Sequence, residues 1–161
     1  MQLNQKKVVL LFPPCTTKTF GKNGGAGTKQ EKTIAPPLGL LYLAAELMDS
    51  GYLVEVIDFN AEPFSIDRLK VALNNASVAG VSMLSFNLDE AKSLIKGLIE
   101  LYPEIPVIAG GPDLILRPRY IEGTRASVCH EAESIIVPLV NAIINNEDLS
   151  SVPGIFYKDS M

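Results

Sequence analysis

"PPLGLLYLAAELMDSGYLVEVIDF", Pro36 to Phe59, decides the fold. Its first two thirds carry apolar residues at helical spacing, and Leu40, Leu41, Tyr42, Leu43, Leu47 and Met48 form the stripe expected to face a core. Gly51 supplies the stop, because a helix end needs a residue that tolerates a left-handed backbone. Tyr52 to Phe59 then switches to a short β-branched run of strand length. A helix feeding directly into a buried strand is half of a β-α-β unit.

Working outward, the same alternation recurs along the chain. Strands are predicted at Lys7 to Phe12, Ser77 to Leu84, Ile105 to Gly111 and Ala126 to His130, each nearly continuous in apolar residues, as strands covered on both faces are. Helices are predicted between them at Ser65 to Asn75, with Ser65 as cap, and at Asn87 to Tyr102, stopped by Pro103. A weak turn is placed at Arg117 to Glu122, and a last helix within Glu131 to Asn146. This predicts an α/β domain of three layers, doubly wound, with a five-stranded parallel sheet in the flavodoxin-like (Rossmann-like) order 2-1-3-4-5.

The chain has 161 residues, 47% of them hydrophobic, which suffices for one domain with a full core. A net charge of -4 with mixed signs offers no basic field, so nucleic acid is not an expected partner. No apolar run reaches membrane-spanning length and the N-terminus lacks a signal-peptide pattern, so a cytoplasmic location is expected. Cys15 and Cys129 fit reduced thiols. After the last helix a strand-like segment, Ile155 to Tyr157, precedes the final residues, and residues 151–161 are expected to begin a linker to a further domain.

In such a sheet, ligands bind beyond the carboxyl ends of the strands at the topological switch point. The rim there is small and polar: Pro13, Pro14, Cys15, Thr16 and Thr17 after the first strand, Ser82 to Asn87 after the third, Gly110 to Pro112 after the fourth, and Cys129, His130 and Glu131 after the fifth. Glycines at a strand end let a ligand approach the backbone or simply make a tight turn. "GKNGGAGTK", Gly21 to Lys29, has the composition of a phosphate loop but the wrong order, since Thr28 intervenes before Lys29 and no helix pattern follows. Asp58 would suit a ribose only with G-x-G-x-x-G after the first strand, which is missing. His130 is the only histidine, so a histidine-rich metal site is excluded. Cys129 and His130 are neighbours on a strand and face opposite sides, which argues against a nucleophile and base pair. No catalytic residue and no metal ligand is assigned.

Four stretches together resemble the N-terminal cobalamin-binding domain of cobalamin-dependent radical S-adenosylmethionine enzymes, a group that includes the anaerobic magnesium-protoporphyrin ester cyclases and many methyltransferases. They are "VVLLFPP", "APPLGLLYLAAELMDSGYLVEVIDFNAE", "GVSMLS" with "PVIAGGPDLILRP", and "VCHEAESIIVPLVNAI" with "VPGIFY". The resemblance implies a cobalamin module at residues 1–150 with no turnover of its own. Ser82 and Leu84 match the family's Ser-x-Leu element lining the pocket for the nucleotide tail, and Gly110 and Gly111 match the glycine pair beneath it. Pro14, Cys15, Thr16, Leu38, Gly39, Ser85, Pro112 and Glu131 complete the implied cofactor-binding set. Where the family usually reads Gly-Glu-Gly-Glu this chain has Cys129 to Glu133, so Glu131 and Glu133 carry over and both glycines do not.

The cobalt-ligating D-x-H-x-x-G pattern of other cobalamin proteins is absent, and the resemblance implies a base-off cofactor with no protein histidine on cobalt. The segment Pro13 to Pro36 would then be a flap over the corrin. The [4Fe-4S] cluster and S-adenosylmethionine are expected only in a C-terminal radical SAM domain, because two isolated cysteines cannot hold a cluster. Two other readings share this rim: a flavodoxin-like FMN carrier with "CTTKT" as its phosphate loop, and a scaffold domain that has lost its cofactor.

Overall fold

A computed structural model describes residues 5–15 and 36–158. The strands are β1 (Lys7–Phe12), β2 (Leu53–Asp58), β3 (Ala76–Ser82), β4 (Val107–Gly110), β5 (Ala126–Val128) and β6 (Ile155–Phe156). The helices are α1 (Leu38–Asp49), α2 (Ile66–Leu73), α3 (Leu88–Leu101), α4 (Pro112–Leu116) and α5 (Ile136–Ile144). The sheet runs β2-β1-β3-β4-β5-β6. Its first five strands are parallel in the predicted order. The expectation of five strands needs one correction, because β6 adds antiparallel to β5 through Ser127 opposite Phe156 and Val128 opposite Ile155. α5 brings the chain to the amino edge beside Gln5 and Lys6, from which a parallel strand could start directly; residues 145–154 instead return it to the carboxyl edge, where the Cys129 N–H donates to the Gly154 carbonyl at 2.9 Å, so β6 runs the other way.

Successive side chains on a strand alternate faces, so the sheet divides the core into two. Val9, Leu11, Ile57, Ala79, Val81 and Met83 pack under α2 and α3, with Cys129 in the same layer. Val8, Leu10, Val78, Ile108, Ala126 and Val128 pack under α1 and α5. From Val78 onward this parity places the even-numbered residues of β3 and β4, including Gly80, Ser82 and Gly110, on the side of α1 and α5, whereas Ala76, before a register shift against β1, packs on the other side.

Local signals explain the helix ends. Gly51 has φ +89, and the N–H groups of Gly51 and Tyr52 donate to Met48 and Leu47 carbonyls, closing α1 as predicted. Ser65 Oγ accepts from Arg68 N at 3.3 Å and caps α2. Two expectations are corrected. The turn predicted at Arg117 to Glu122 is preceded by a true helical turn at Pro112–Leu116, which Pro112 starts because its fixed φ suits the first helical position. The α1 stripe is also narrower than expected: Leu40, Ala44 and Leu47 are buried, whereas Leu41, Tyr42 and Met48 are exposed. One helix face spans only part of the circumference, and consecutive leucines cannot share it.

Candidate functional site

At the carboxyl ends of β1, β3, β4 and β5, on the α1 and α5 side, lies a slot of about 410 Å³. Its floor exists because β3 carries Gly80. A Cβ there would come within 2.9 Å of Leu10 Cδ2 and 3.5 Å of Ile108 Cγ1, filling the space between two neighbouring strands. Gly39, Leu40 and Leu43 of α1 form one wall and Ala132, Glu133 and Ile136 at the start of α5 another. Ser82, Gly110, Gly111 and Pro112 form the rim, and His130 and Glu131 stand at the exposed mouth.

Gly111 is required by the backbone. It has φ +111, and a Cβ would meet the Met83 carbonyl oxygen at 2.7 Å and the Met83 nitrogen at 2.9 Å. The chain therefore crosses tightly over the end of β3, where Met83 N donates to the Gly110 carbonyl at 2.7 Å and Asp113 N donates to the Met83 carbonyl at 3.1 Å. Gly110 is different, since a Cβ would make only an ordinary 3.6 Å contact with Val128.

The turn is held from beneath by Asp113, which is fully buried. Its carboxylate accepts from Arg117 and Arg119, and Ser85 Oγ donates to it at 3.2 Å. Burial opposes ionisation of Asp113, but hydrogen bonds from Arg119 and Arg117 outweigh it and hold the carboxyl below its usual range. Ser82 has no comparable anchor. It is only 8% exposed, it lines the slot, and its hydroxyl makes no hydrogen bond among the described residues.

The slot thus gathers Gly39, Ser82, Gly110, Gly111, Pro112 and Glu131 from the predicted set. Others lie elsewhere. Leu38 points to solvent at 62% exposure. Leu84 donates its backbone N–H to Asn87 Oδ1 at 2.8 Å, and Ser85 belongs to the Asp113 cluster. Pro14 borders a separate groove with Phe64 and Ser93, on the α3 side of the sheet. Cys15 N donates to Asn60 Oδ1 at 2.7 Å, and Asn60 Nδ2 in turn donates to Asp58 Oδ1 at 3.0 Å, which gives Asp58 a local structural partner. Thr16 and the stretch "GKNGGAGTK" lie outside the described residues.

Burial pushes the thiols of Cys15 and Cys129 upward, away from the reactive thiolate. Cys129 lies in the α3-side layer while His130 lines the slot on the other face, so the two do diverge. Sequence reasoning missed Gly80 and the apolar walls, whereas it had set His130 on the rim after the fifth strand. A glycine inside a β-branched strand was the available signal for the first, since it marks a close approach.

Among described residues no cluster of three or more His, Cys, Asp or Glu side chains is placed to hold a metal ion. No helix of the described residues is long and apolar enough to cross a membrane. The sequence matches the B12 binding domain family over residues 29–140. Among curated proteins none matches.

Among solved structures the chain is similar to the radical S-adenosylmethionine methyltransferase TsrM from Kitasatospora setae. With tryptophan substrate and a SAM analogue bound, that structure aligns with TM-score 0.72 and 22% identity over 95% of this chain and 28% of the other. With cobalamin and a [4Fe-4S] cluster bound it aligns with TM-score 0.71 and 22% identity over 95% of this chain and 27% of the other. The chain therefore spans under a third of the length of TsrM, and the likeness carries the fold.

Proposed function

Because the chain belongs to the B12-binding domain family, we propose that it holds a cobalamin at the carboxyl rim with the nucleotide tail in the Gly80 slot. One observation carries this placement: a missing side chain in mid-strand opens a deep apolar space beneath a nearly buried hydroxyl that has no described partner. Its volume of about 410 Å³ falls within the roughly 300–1,000 Å³ usual for small-molecule pockets. These residues fit the group. Ser82 offers a donor to the tail, the slot walls exclude water from it, and Gly110 with Gly111 lets it pass close to the backbone. When bound, the corrin cobalt would supply methyl or electron transfer, while the chain contributes binding and orientation.

The finer reading is a base-off cofactor with no protein histidine on cobalt. It is supported by the depth of the slot below the rim and by the absence of D-x-H-x-x-G after β1. We further read the domain, residues 1–150 with 151–161 leading onward, as a non-catalytic module of a larger cytoplasmic radical SAM methyltransferase or cyclase. A C-terminal domain would carry the [4Fe-4S] cluster and S-adenosylmethionine. The similarity to part of TsrM supports this. Pro14, Cys15 and Thr16 remain assigned to the corrin by the family resemblance.

Reconstitution with hydroxocobalamin followed by gel filtration tests the proposal. Corrin absorbance should travel with the protein at about one equivalent, and Gly80→Val should abolish retention while the variant stays folded. Protein emerging free of corrin would leave the scaffold reading, and retention of FMN instead would leave the flavodoxin-like one.

A further inference from the structure

The slot's lining is uneven in a way that bears on which corrinoid enters it. Below the rim the side chains are Leu10, Leu40, Leu43, Ile108, Val128 and Ile136, all apolar. The backbone groups of β3 and β4 at the floor are engaged in the sheet ladder from Ala79 opposite Val107 to Ser82 opposite Gly110. Ser82 is the one nearly buried side chain of the lining that can hydrogen-bond, for His130, Glu131 and Glu133 are all exposed at the mouth. Among its side chains the interior therefore offers one hydroxyl, with a single donor.

We propose that this slot selects corrinoids by their lower base, accepting a dimethylbenzimidazole in preference to a purine. The inference rests on the cobalamin reading above and sharpens it. A benzimidazole joined to its ribose through one ring nitrogen leaves one other nitrogen, a lone acceptor that Ser82 Oγ matches, and its two methyl groups add apolar surface to bury. Adenine joined in the same way leaves three ring acceptors and an amine that donates twice. One hydroxyl cannot satisfy that set, and each buried group left unpaired forfeits the hydrogen bond it made to water. Apolar pockets reject added polar groups only moderately, so the preference should be about 10- to 100-fold.

Equilibrium dialysis of the protein against hydroxocobalamin, the cobamide bearing adenine as lower base, and cobinamide, which lacks a lower base, tests this. Hydroxocobalamin should bind about 10- to 100-fold more tightly than the adenine form and more tightly than cobinamide. Leu43→Gln, which places an amide on the half-buried α1 wall, should reduce the ratio between the two complete corrinoids at least threefold. That ratio, measured on one preparation, does not depend on the fraction folded. Equal or reversed affinities for the two bases would overturn the selection while leaving cobalamin binding intact. Cobinamide matching hydroxocobalamin would overturn it by showing that the tail adds nothing. Failure of all three to bind would overturn the cobalamin reading and this inference together.

Discussion

Replacing Gly111 by alanine separates what the rim does for the fold from what it does for a ligand. Gly111 has φ +111 and ψ 175, a region essentially reserved for glycine, and holding alanine there costs about 1–3 kcal/mol. The new Cβ would also press on the Met83 carbonyl oxygen at 2.7 Å and nitrogen at 2.9 Å. These are backbone atoms inside the sheet edge, unable to rotate away, and overpacking of that kind costs about 1–3 kcal/mol more. Gly111→Ala should therefore lose about 2–6 kcal/mol. For a chain of 161 residues this is a fall in Tm of roughly 4–24 °C, at about 2–4 °C per kcal/mol.

Gly110→Ala is the matched control. Its Cβ meets only Val128 at an ordinary 3.6 Å, so its Tm should stay within about 2 °C of wild type, or rise slightly as the unfolded chain loses freedom. Thermal melts followed by circular dichroism measure both. A Gly111→Ala protein melting with the wild type would refute the strained crossing over β3, and with it the claim that this turn sets the rim.

Ser82→Ala should leave stability within about 0.5 kcal/mol, because the hydroxyl has no described partner to lose, yet weaken hydroxocobalamin about three- to tenfold, the worth of one hydrogen bond. Dialysis and melts together check it. Leu47→Ala in fully buried α1 packing should cost about 2–5 kcal/mol, whereas Leu41→Ala on the exposed face should stay within about 0.5 kcal/mol, both read from urea midpoints. Asp113→Asn should lower stability by about 1–3 kcal/mol at pH 7 by weakening charge-assisted bonds to Arg117 and Arg119. Because the folded carboxyl titrates below its unfolded value of about 4, its contribution is complete above that pH and is lost as pH falls through the folded value. The gap between wild type and variant should thus close in acid, and a gap constant down to about pH 2 would exclude the assigned ion pairs.

Much of the architecture was legible because it depends on local rules. β-branched runs, Ser65 as a cap and Gly51 as a stop each specify their own element, and parallel crossovers leave few orders for five strands. β6 was visible as the segment Ile155 to Tyr157, but its antiparallel partner was not, since pairing with β5 is a tertiary event. The α1 stripe was read too wide because leucine occurs on both faces of that helix, and composition alone does not say which face meets the sheet. At the site, Ser82, Gly110 and Gly111 were found from their place at strand ends. Gly80 escaped because it lies within a strand, where sequence reading looks for core and not for a missing side chain.

Strand parity explains why the predicted rim residues divided as they did. Ser82, Gly110 and Gly80 share the α1 and α5 face, so a slot can run from rim to floor along one side of the sheet. Pro14 leaves β1 toward the α3 side, and Cys15 hydrogen-bonds there to Asn60 beyond β2, where the described residues form a separate groove beside Phe64 and Ser93. A macrocycle broad enough to lie across the carboxyl edge would touch residues of both faces, but its tail can descend on one only. The two glycine-dependent features then have distinct consequences. Gly111 permits the chain path that makes the rim, and its loss should be felt by the protein with or without a ligand. Gly80 leaves the cavity that the tail would occupy, and a side chain there would be felt first by the ligand. Leu10 Cδ2, the nearest atom at 2.9 Å, is the end of a side chain that can move to accommodate it. Gly80→Val should therefore cost under about 3 kcal/mol of stability yet weaken hydroxocobalamin by more than tenfold. A variant that kept wild-type affinity would place the tail somewhere other than this slot.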